Sequence, residues 1–143
     1  YVALSNQNFN DKDWQDRIEQ HKLRRPDNWK TIETDEIINV LQKQKEVLLI
    51  DSLGGFVLKG LSMNLNEWID YKKDLIENLL NYKNTLIIVA EQVGWGLVSE
   101  YKVGNLFVDR LGEIMNAITN IADKNWITIN GKALRLDDIF IDI

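Results

Sequence analysis

Two apolar runs, each followed at once by an acidic residue, constrain the fold of this chain more than any other feature. Residues 47–50 precede Asp51, and residues 85–90 precede Glu91. The first run is bounded by charge at both ends, which is typical of a strand that is buried on both faces of a parallel sheet, and the second run predicts another buried strand. Because ligands of such sheets bind beyond the carboxyl ends of the strands, Asp51 and Glu91 are candidate site residues.

Helical patterns separate these strands. Apolar residues recur at helical spacing in residues 103–121, which predicts the longest helix of the chain. Thr34 is expected to cap a shorter helix, and Asn66 to cap another that carries Trp68. The pattern assigns no element to the segment between Gly54 and Asn66. The chain therefore alternates between strand and helix.

Further strands complete the pattern. Residues 1–4 form a short apolar run, and residues 29–32 are rich in β-branched and aromatic side chains. Asn130-Gly131, between residues 126–129 and 133–136, is a strong signal for a two-residue hairpin. This order of elements predicts an α/β fold, in which helices flank a mostly parallel sheet and one antiparallel hairpin follows toward the C-terminus.

The composition is that of a soluble globular protein, and we expect one domain that spans residues 1–143. The chain is 45% hydrophobic and 27% charged. No apolar run approaches the ~20 residues that a membrane span requires. A net charge of −5 argues against general nucleic-acid binding. The absence of cysteine is compatible with a cytoplasmic protein, which is our expectation.

The segment 16–26 contains the only histidine and the only proline of the chain. Asn10 can cap a helix here, and Pro26 closes it. One face of that helix is expected to carry Trp14, Ile18, His21 and Arg25. Since the first two of these residues are apolar, His21 is expected to lie at the edge of a buried stripe.

Four basic residues surround the histidine in sequence: Arg17, Lys22, Arg24 and Arg25. Their charges would favour the neutral, nucleophilic imidazole and would attract anions. A single histidine on a half-apolar helix face is more often a structural residue, so the residue pattern alone leaves both interpretations of His21 open. The same holds for Asp51, which is either a metal ligand or the cap of a turn.

Several motifs in register resemble one enzyme family. They are Tyr-Val-Ala-Leu-Ser at 1–5, Arg-Ile-x-x-His-x-x-x-Arg-Pro-x-x-Trp at 17–29, Val-Leu-Leu-Ile-Asp-Ser-Leu at 47–53, Glu-Gln-Val-Gly-Trp-Gly-Leu-Val at 91–98 and Phe-x-Asp-x-x-Gly at 107–112. Together they resemble the bifunctional adenosylcobinamide kinase / adenosylcobinamide-phosphate guanylyltransferase family of cobalamin biosynthesis. The similarity covers essentially the whole chain in the right order.

The resemblance implies a P-loop NTPase fold of the RecA-like type and a specific role for the histidine. In that family the corresponding histidine attacks the α-phosphate of GTP and carries GMP to adenosylcobinamide phosphate. His21 is therefore the expected catalytic nucleophile. Arg17 and Arg25 match the flanking arginines of the family and are expected, with Lys22, to contact phosphate.

The resemblance also implies ligands at the carboxyl ends of the strands. Asp51 is expected to hold Mg²⁺, and Glu91, Gly94 and Gly96 are expected to lie in a loop near the nucleotide and the corrinoid. The expected substrates are GTP or ATP and adenosylcobinamide, and the expected assembly is a homo-oligomer such as a trimer. Trp95 is the tryptophan expected near a ligand, whereas Trp14, Trp68 and Trp126 are expected in the core.

The sequence departs from the family pattern at its most familiar motif. The family begins with a strand, a Gly-x-x-x-x-Gly-Lys-Ser phosphate loop and a helix, and the chain contains no such motif. We interpret the chain as a fragment of a divergent member, in which this first βα element is missing. The alternative is a catalytically decayed paralogue that acts as an oligomerisation or binding module. Asn105, Val108 and Met115, which replace residues common in the family, favour that alternative.

Overall fold

Four parallel strands form one sheet, and a separate antiparallel pair follows them. The computed structural model of the chain describes residues 1–4, 12–96 and 98–139, without the side chains of Asp13, Trp14 and Arg17. The strands are β1 (Val2–Leu4), β2 (Ile32–Thr34), β3 (Leu48–Asp51), β4 (Leu86–Val89), β5 (Trp126–Ile129) and β6 (Lys132–Arg135). The parallel sheet has the order β2-β1-β3-β4, and β5 pairs with β6. The predicted α/β fold with a mostly parallel sheet and an antiparallel hairpin is confirmed.

Five helices flank the sheet in the described residues. They are α1 (Lys12–Leu23), α2 (Ile37–Lys43), α3 (Leu53–Gly60), α4 (Leu65–Asn81) and α5 (Lys102–Thr119). A short 3₁₀ turn, Leu136–Asp138, follows the hairpin. None of the described helices combines the length and the apolarity needed to cross a membrane.

The core lies on one face of the sheet. Val2, Leu4, Leu48 and Ile50 point to this face and are buried against helices α2 to α5. The other face is more open, since Ile87 in β4 is 50% exposed. The strand predicted at residues 85–90 is present, but the prediction that it is buried is wrong, because β4 lies at the edge of the sheet and its side chains alternate between core and surface. In the first run, β3 begins at Leu48, and Val47 is 59% exposed.

Turn and cap residues show where local chemistry prevails over the sequence pattern. The hairpin signal is confirmed, since Asn130 and Gly131 have φ values of 51° and 74°. The expected cap at Thr34 is wrong: Thr34 ends β2, and its Oγ1 accepts the N–H of Glu36 at 3.0 Å. Asn66 is not a cap either. Helix α4 begins two residues earlier, after Asn64.

Helix α4 has the strongest local start signal in the chain. The Asn64 side chain accepts the backbone N–H of Glu67 at 3.1 Å, and the Glu67 carboxylate accepts the N–H of Asn64 at 2.8 Å. This reciprocal capping box satisfies two amide groups that the first helical turn leaves free. Trp68, in the same turn, is buried as predicted, whereas Trp126 is 56% exposed on the hairpin and not in the core.

Candidate functional site

The two acids, Asp51 and Glu91, lie at the carboxyl ends of neighbouring strands, and Glu91 connects its own strand end to the residues that follow Asp51. Asp51 in β3 is opposite Val89 in β4, so the carboxyl ends of these strands are adjacent. The Ser52 hydroxyl donates to Oε1 of Glu91, and the backbone N–H of Gly54 donates to Oε2 at 3.0 Å. Glu91 therefore ties the end of β4 to the first turn of α3. A carboxylate is favourable at a helix N-terminus because the free amides there carry partial positive charge.

Two glycines permit this close packing at the start of α3. A Cβ at Gly54 would lie 2.7 Å from Oε1 of Glu91, and a Cβ at Gly55 would lie 2.2 Å from the carbonyl oxygen of Leu4. Neither position tolerates a side chain without movement of its neighbour. The close contacts explain why two glycines, which have low helix propensity, occupy the first turn of α3. The same low propensity is why the sequence pattern predicted no helix here.

Asp51 is connected to the end of α1 through an aromatic ring. The Tyr1 hydroxyl donates to Oδ2 of Asp51, and the guanidinium carbon of Arg25 lies 3.8 Å from the centroid of the Tyr1 ring. Burial, and then the hydrogen bond to Asp51, raise the pKa of Tyr1. Tyr1 therefore keeps its proton at neutral pH and holds one oxygen of the Asp51 carboxylate.

A cavity of about 470 Å³ opens beside these residues. Its lining residues are Lys22, Arg25, Pro26, Asp27, Trp29, Thr31 and Glu33. Lys22 Nζ lies 2.7 Å from Oε1 of Glu33, and Nη1 of Arg25 is 3.4 Å from the hydroxyl oxygen of Thr31. Nε of Arg25 is buried and has no hydrogen-bond partner among the described residues. The cavity thus carries both positive and negative side chains, and the Nε of Arg25, unpaired in the described part of the chain, is buried within the protein.

His21 is exposed in the last turn of α1. The prediction that Arg25 shares its helical face is wrong, because α1 ends at Leu23 and Arg25 follows in a turn, where its N–H bonds to the carbonyl of Lys22 at 3.1 Å. The structure brings Lys22 and Arg25 together at the cavity. Arg24 is exposed. The expected cap Asn10 and the side chains of Trp14 and Arg17 lie outside the described residues.

The loop after β4 holds the remaining predicted site residues. Glu91 and Gly94 line a second, smaller cavity of about 180 Å³ against α5, with Gly112 and Asn116. Trp95 is 69% exposed between Gly94 and Gly96. An exposed indole in a loop is available to a ligand, but Trp95 lines neither of the two cavities.

The oxygen donors at the strand ends are of the type that Mg²⁺ prefers. Asp51, Ser52 and Glu91 supply two carboxylates and a hydroxyl within two neighbouring strand ends. The described residues contain no group of three or more histidine, cysteine, aspartate or glutamate side chains that is close enough to hold a metal alone. Mg²⁺ is usually bound by one or two carboxylates together with substrate phosphates, so this donor set fits that ion.

Sequence reasoning missed the part of the cavity wall that β2 and its approach supply. Trp29, Thr31 and Glu33 all line the cavity and alternate along the chain. In an extended segment, side chains two residues apart lie on the same side. This alternation is the sequence signal that could have predicted these three lining residues. The strand itself lies at Ile32–Thr34 rather than at 29–32, because Trp29 closes a turn with its N–H on the carbonyl of Pro26 at 2.9 Å.

A mostly parallel sheet flanked by helices, with acids at adjacent carboxyl ends of the strands, is the architecture of an α/β protein of the P-loop NTPase-like class. Comparison with known proteins is more specific. The family model for cobinamide kinase / cobinamide phosphate guanyltransferase, CobU, matches residues 1–136. The chain belongs to this family, and the expectation from its motifs is confirmed.

Relatives from three bacteria share this assignment at low identity. The bifunctional adenosylcobalamin biosynthesis protein CobU of Escherichia coli (strain K12) is 25% identical, over 95% of this chain and 84% of its own length. CobU of Salmonella typhimurium is 24% identical over the same shares. The bifunctional protein CobP of Pseudomonas aeruginosa is 26% identical, over 84% of this chain and 72% of its own length.

Proposed function

We propose that this protein acts in the assembly of the nucleotide loop of cobalamin. It phosphorylates adenosylcobinamide and transfers GMP from GTP to adenosylcobinamide phosphate, with His21 as the GMP carrier. The family match over residues 1–136 supports the pair of reactions. One structural observation supports the role of His21: its imidazole is exposed in the last turn of α1, next in sequence to Lys22, which lines the cavity, although His21 itself does not.

The transfer proceeds in two displacements. A ring nitrogen of neutral His21 attacks the α-phosphorus of GTP, the bond between that phosphorus and the bridging oxygen of the β-phosphate breaks, and pyrophosphate leaves. A phosphate oxygen of adenosylcobinamide phosphate then attacks the same phosphorus. The P–N bond breaks, the electron pair returns to the imidazole, and GMP is joined to the corrinoid through a diphosphate.

The charged groups of the cavity are suited to the phosphates of this nucleotide. Lys22 and Arg25 place an ammonium and a guanidinium on the same wall, and both stabilise negative charge that develops on phosphate oxygens. Arg17 is proposed as a third phosphate contact because it lies one turn before His21 in α1.

The strand ends are proposed to serve the phosphoryl chemistry. Asp51 would hold Mg²⁺, whose role is to neutralise the charge on the transferring phosphates. Glu91 holds the start of α3 in place through Gly54, and the Gly94–Gly96 loop borders the nucleotide or the corrinoid. The protein is proposed to act as a homo-oligomer in the cytoplasm.

Intact mass spectrometry tests the role of His21. The chain is incubated with GTP and Mg²⁺ and compared with His21→Ala and with Gln20→Ala, which changes the neighbouring exposed residue of α1. We expect a GMP-sized adduct on the parent chain and on Gln20→Ala, and none on His21→Ala. The adduct is expected to be lost in acid and retained in alkali, as a phosphoramidate is. An adduct that persists in His21→Ala would refute the assignment.

One observation favours a second function, that of a binding module without catalysis. The open face of β4 exposes Ile87 and Val89, at 50% and 40%, beside half-buried Leu49 in β3. Such a face is suited to contact with another chain. A stable oligomer in light scattering, together with no detectable GTP affinity, would favour the module over the enzyme.

A further inference from the structure

The two strand-end carboxylates differ in how their oxygens are used. Both oxygens of Glu91 accept hydrogen bonds from the start of α3, one from the hydroxyl of Ser52 and one from the N–H of Gly54. Asp51 accepts a single hydrogen bond in the described part of the chain, from the Tyr1 hydroxyl to Oδ2. Glu91 therefore serves the fold, whereas Asp51 is the carboxylate with capacity for a ligand.

We propose that Tyr1 is a positioning residue, which holds the Asp51 carboxylate in the orientation that binds a divalent cation. The inference rests on the proposed function, because Asp51 is the residue that we propose for Mg²⁺. A carboxylate that ligates a metal is commonly hydrogen-bonded itself, and this outer bond fixes the orientation of the ligand. The Tyr1 hydroxyl occupies Oδ2 and thereby leaves Oδ1 as the oxygen for the cation.

The register of the sheet brings the two side chains to one face. Ala3 lies opposite Asp51 in the parallel pairing of β1 and β3, so their side chains project from the same face. Tyr1 precedes Ala3 by two residues, and its side chain therefore lies on that face as well. Two residues of a strand span about 6.6 Å. The long side chain of a tyrosine covers such an offset, whereas a serine or threonine hydroxyl at this position would not.

Both the backbone and the ring of Tyr1 are held in place. Its nitrogen donates to the carbonyl of Lys30 at 2.8 Å, and its carbonyl accepts the N–H of Ile32 at 2.8 Å. The guanidinium carbon of Arg25 lies 3.8 Å from the ring centroid, and the Trp29 ring lies 6.4 Å away at an interplanar angle of 30°. A hydroxyl that is fixed in this way can fix the carboxylate that accepts from it.

Binding of Mn²⁺, followed by electron paramagnetic resonance, tests the inference on the full chain. Mn²⁺ takes the same oxygen ligands as Mg²⁺, and the signal of the free ion is lost on binding, so a titration with the metal alone gives its Kd. Tyr1→Phe removes the hydroxyl and keeps the ring against which Arg25 lies. We expect the Kd for Mn²⁺ to rise about tenfold, the lower end of the cost of losing an outer hydrogen bond.

Asp51→Asn shows whether Tyr1 acts through the carboxylate. This change should raise the Kd for Mn²⁺ more than Tyr1→Phe does, and an unchanged Kd would overturn the inference. In the double variant, Tyr1→Phe should add less than about twofold, because the two residues act as a unit. An equal effect of Tyr1→Phe with and without Asp51→Asn would overturn the inference, since Tyr1 would then act independently of that carboxylate.

Tyr82→Phe is the matched control. It also removes a tyrosine hydroxyl that donates a hydrogen bond, here to the carbonyl of Glu46, which precedes β3, whereas Asp51 ends that strand. It should keep the parent Kd for Mn²⁺. Circular dichroism and urea unfolding check that each variant is folded. A Tyr1→Phe protein that binds Mn²⁺ as tightly as the parent, or no more weakly than Tyr82→Phe, would overturn the positioning role. Where Asp51→Asn abolishes binding altogether, this comparison of the two tyrosines decides alone.

Metal binding and adduct formation separate this inference from the proposed function. An affinity for Mn²⁺ that depends on Tyr1 through Asp51, without a GMP adduct on His21, would keep the positioning role and refute the carrier. An adduct on His21, in a chain whose Mn²⁺ affinity is the same with tyrosine and phenylalanine at this position, would keep the carrier and overturn the positioning role. The absence of any Mn²⁺ binding by the parent chain at millimolar metal would also overturn it.

Discussion

Two arginines of this protein both lie over an aromatic ring, and their hydrogen bonds differ. Arg110, in α5, is 4.9 Å from the Trp68 ring and donates to the carbonyl of Gly60 and, at 2.9 Å, to that of Met63. Arg25 is 3.8 Å from the Tyr1 ring, reaches a hydroxyl only at 3.4 Å and leaves Nε unpartnered in the described residues. Contact with an aromatic ring is therefore common to an arginine with two carbonyl partners and to one that lacks them.

The number of satisfied donors does distinguish them. A guanidinium carries several N–H donors, and a buried donor without a partner costs roughly 1–3 kcal/mol. Arg110 is only 5% exposed and uses its donors to hold the connection between α3 and α4. Arg25 lines a cavity. The first residue therefore belongs to the fold, and the second is the one that we propose for phosphate binding.

The largest effect is expected for Arg110→Ala. The change leaves the carbonyls of Gly60 and Met63 without their donor and uncovers the ring of Trp68, so the free energy of unfolding should fall by about 3 kcal/mol. Urea unfolding measures it. Lys73→Ala, an exposed change on α4, should stay within about 0.5 kcal/mol of the parent. A loss below about 1 kcal/mol for Arg110→Ala would show that this arginine is not structural.

Gly60→Ala tests the same region from the other side. An added Cβ would lie 2.7 Å from the Trp68 ring, and overpacking of this kind should cost about 2 kcal/mol. Gly112→Ala in α5 meets nothing within 4 Å and should instead stabilise the protein by about 0.5–1 kcal/mol, because alanine is the better helix former. Equal urea midpoints for the two variants would contradict the packing described for Trp68.

Arg25→Ala is the counterpart of Arg110→Ala, because we expect it to change ligand affinity much more than stability. Stability should change by less than about 1 kcal/mol, since few hydrogen bonds are lost, whereas GMP affinity should fall by about tenfold or more with the phosphate contact gone. Urea unfolding and calorimetry on one preparation give both quantities. Arg135→Ala removes an arginine that pairs with Asp137, remote from the cavity, and should leave GMP affinity unchanged. If Arg25→Ala lost stability as Arg110→Ala does, the distinction would fail.

The smallest effect is expected for Glu113→Gln, beneath Trp68. Hydrogen bonds from Lys72 and then from the Trp68 indole lower the pKa of the Glu113 carboxyl. Its contribution is therefore full above the unfolded value of about 4.5 and is lost as pH falls through the lower folded value. Since the side chain is 47% exposed, the loss at pH 7 should be at most about 0.5 kcal/mol. The difference between the two proteins should shrink as pH falls below 4.5, and a gap that widened there would contradict this sign.

The strands and the long helix could be predicted because burial of one face requires apolar residues at a regular spacing in the sequence. The apolar runs before Asp51 and Glu91 became β3 and β4, and the helical spacing after Val103 became α5. Helix α3 was missed because Gly54 and Gly55 disfavour a helix, and their reason is a close approach to residues far away in sequence. The expected cap at Thr34 failed because its hydroxyl serves a turn instead.

The site was harder to predict than the fold because it depends on distant pairs. Asp51 and Glu91 were chosen for their place at strand ends, and the structure joins them through Ser52. The position of Arg110 on the apolar stripe of α5 indicates that its side chain is buried. The neighbouring sequence does not indicate its partners, which are carbonyls at the end of α3 and in the α3–α4 connection. Likewise, nothing local to Glu33 in the sequence indicates that its Oε1 lies 2.7 Å from Nζ of Lys22.

The position of β1 inside the sheet also decides the order in which this protein can fold. Val2 lies opposite both Ile32 and Ile50, so the strand has no partner until the chain reaches β2 and is not enclosed until it reaches β3. Helix α4, with its own capping box, forms from neighbouring residues alone. The sheet must therefore assemble from contacts between distant segments, which is the slow step of parallel α/β folding. Until then the apolar side chains of β1 stay in water, available to a chaperone or to another unfinished chain.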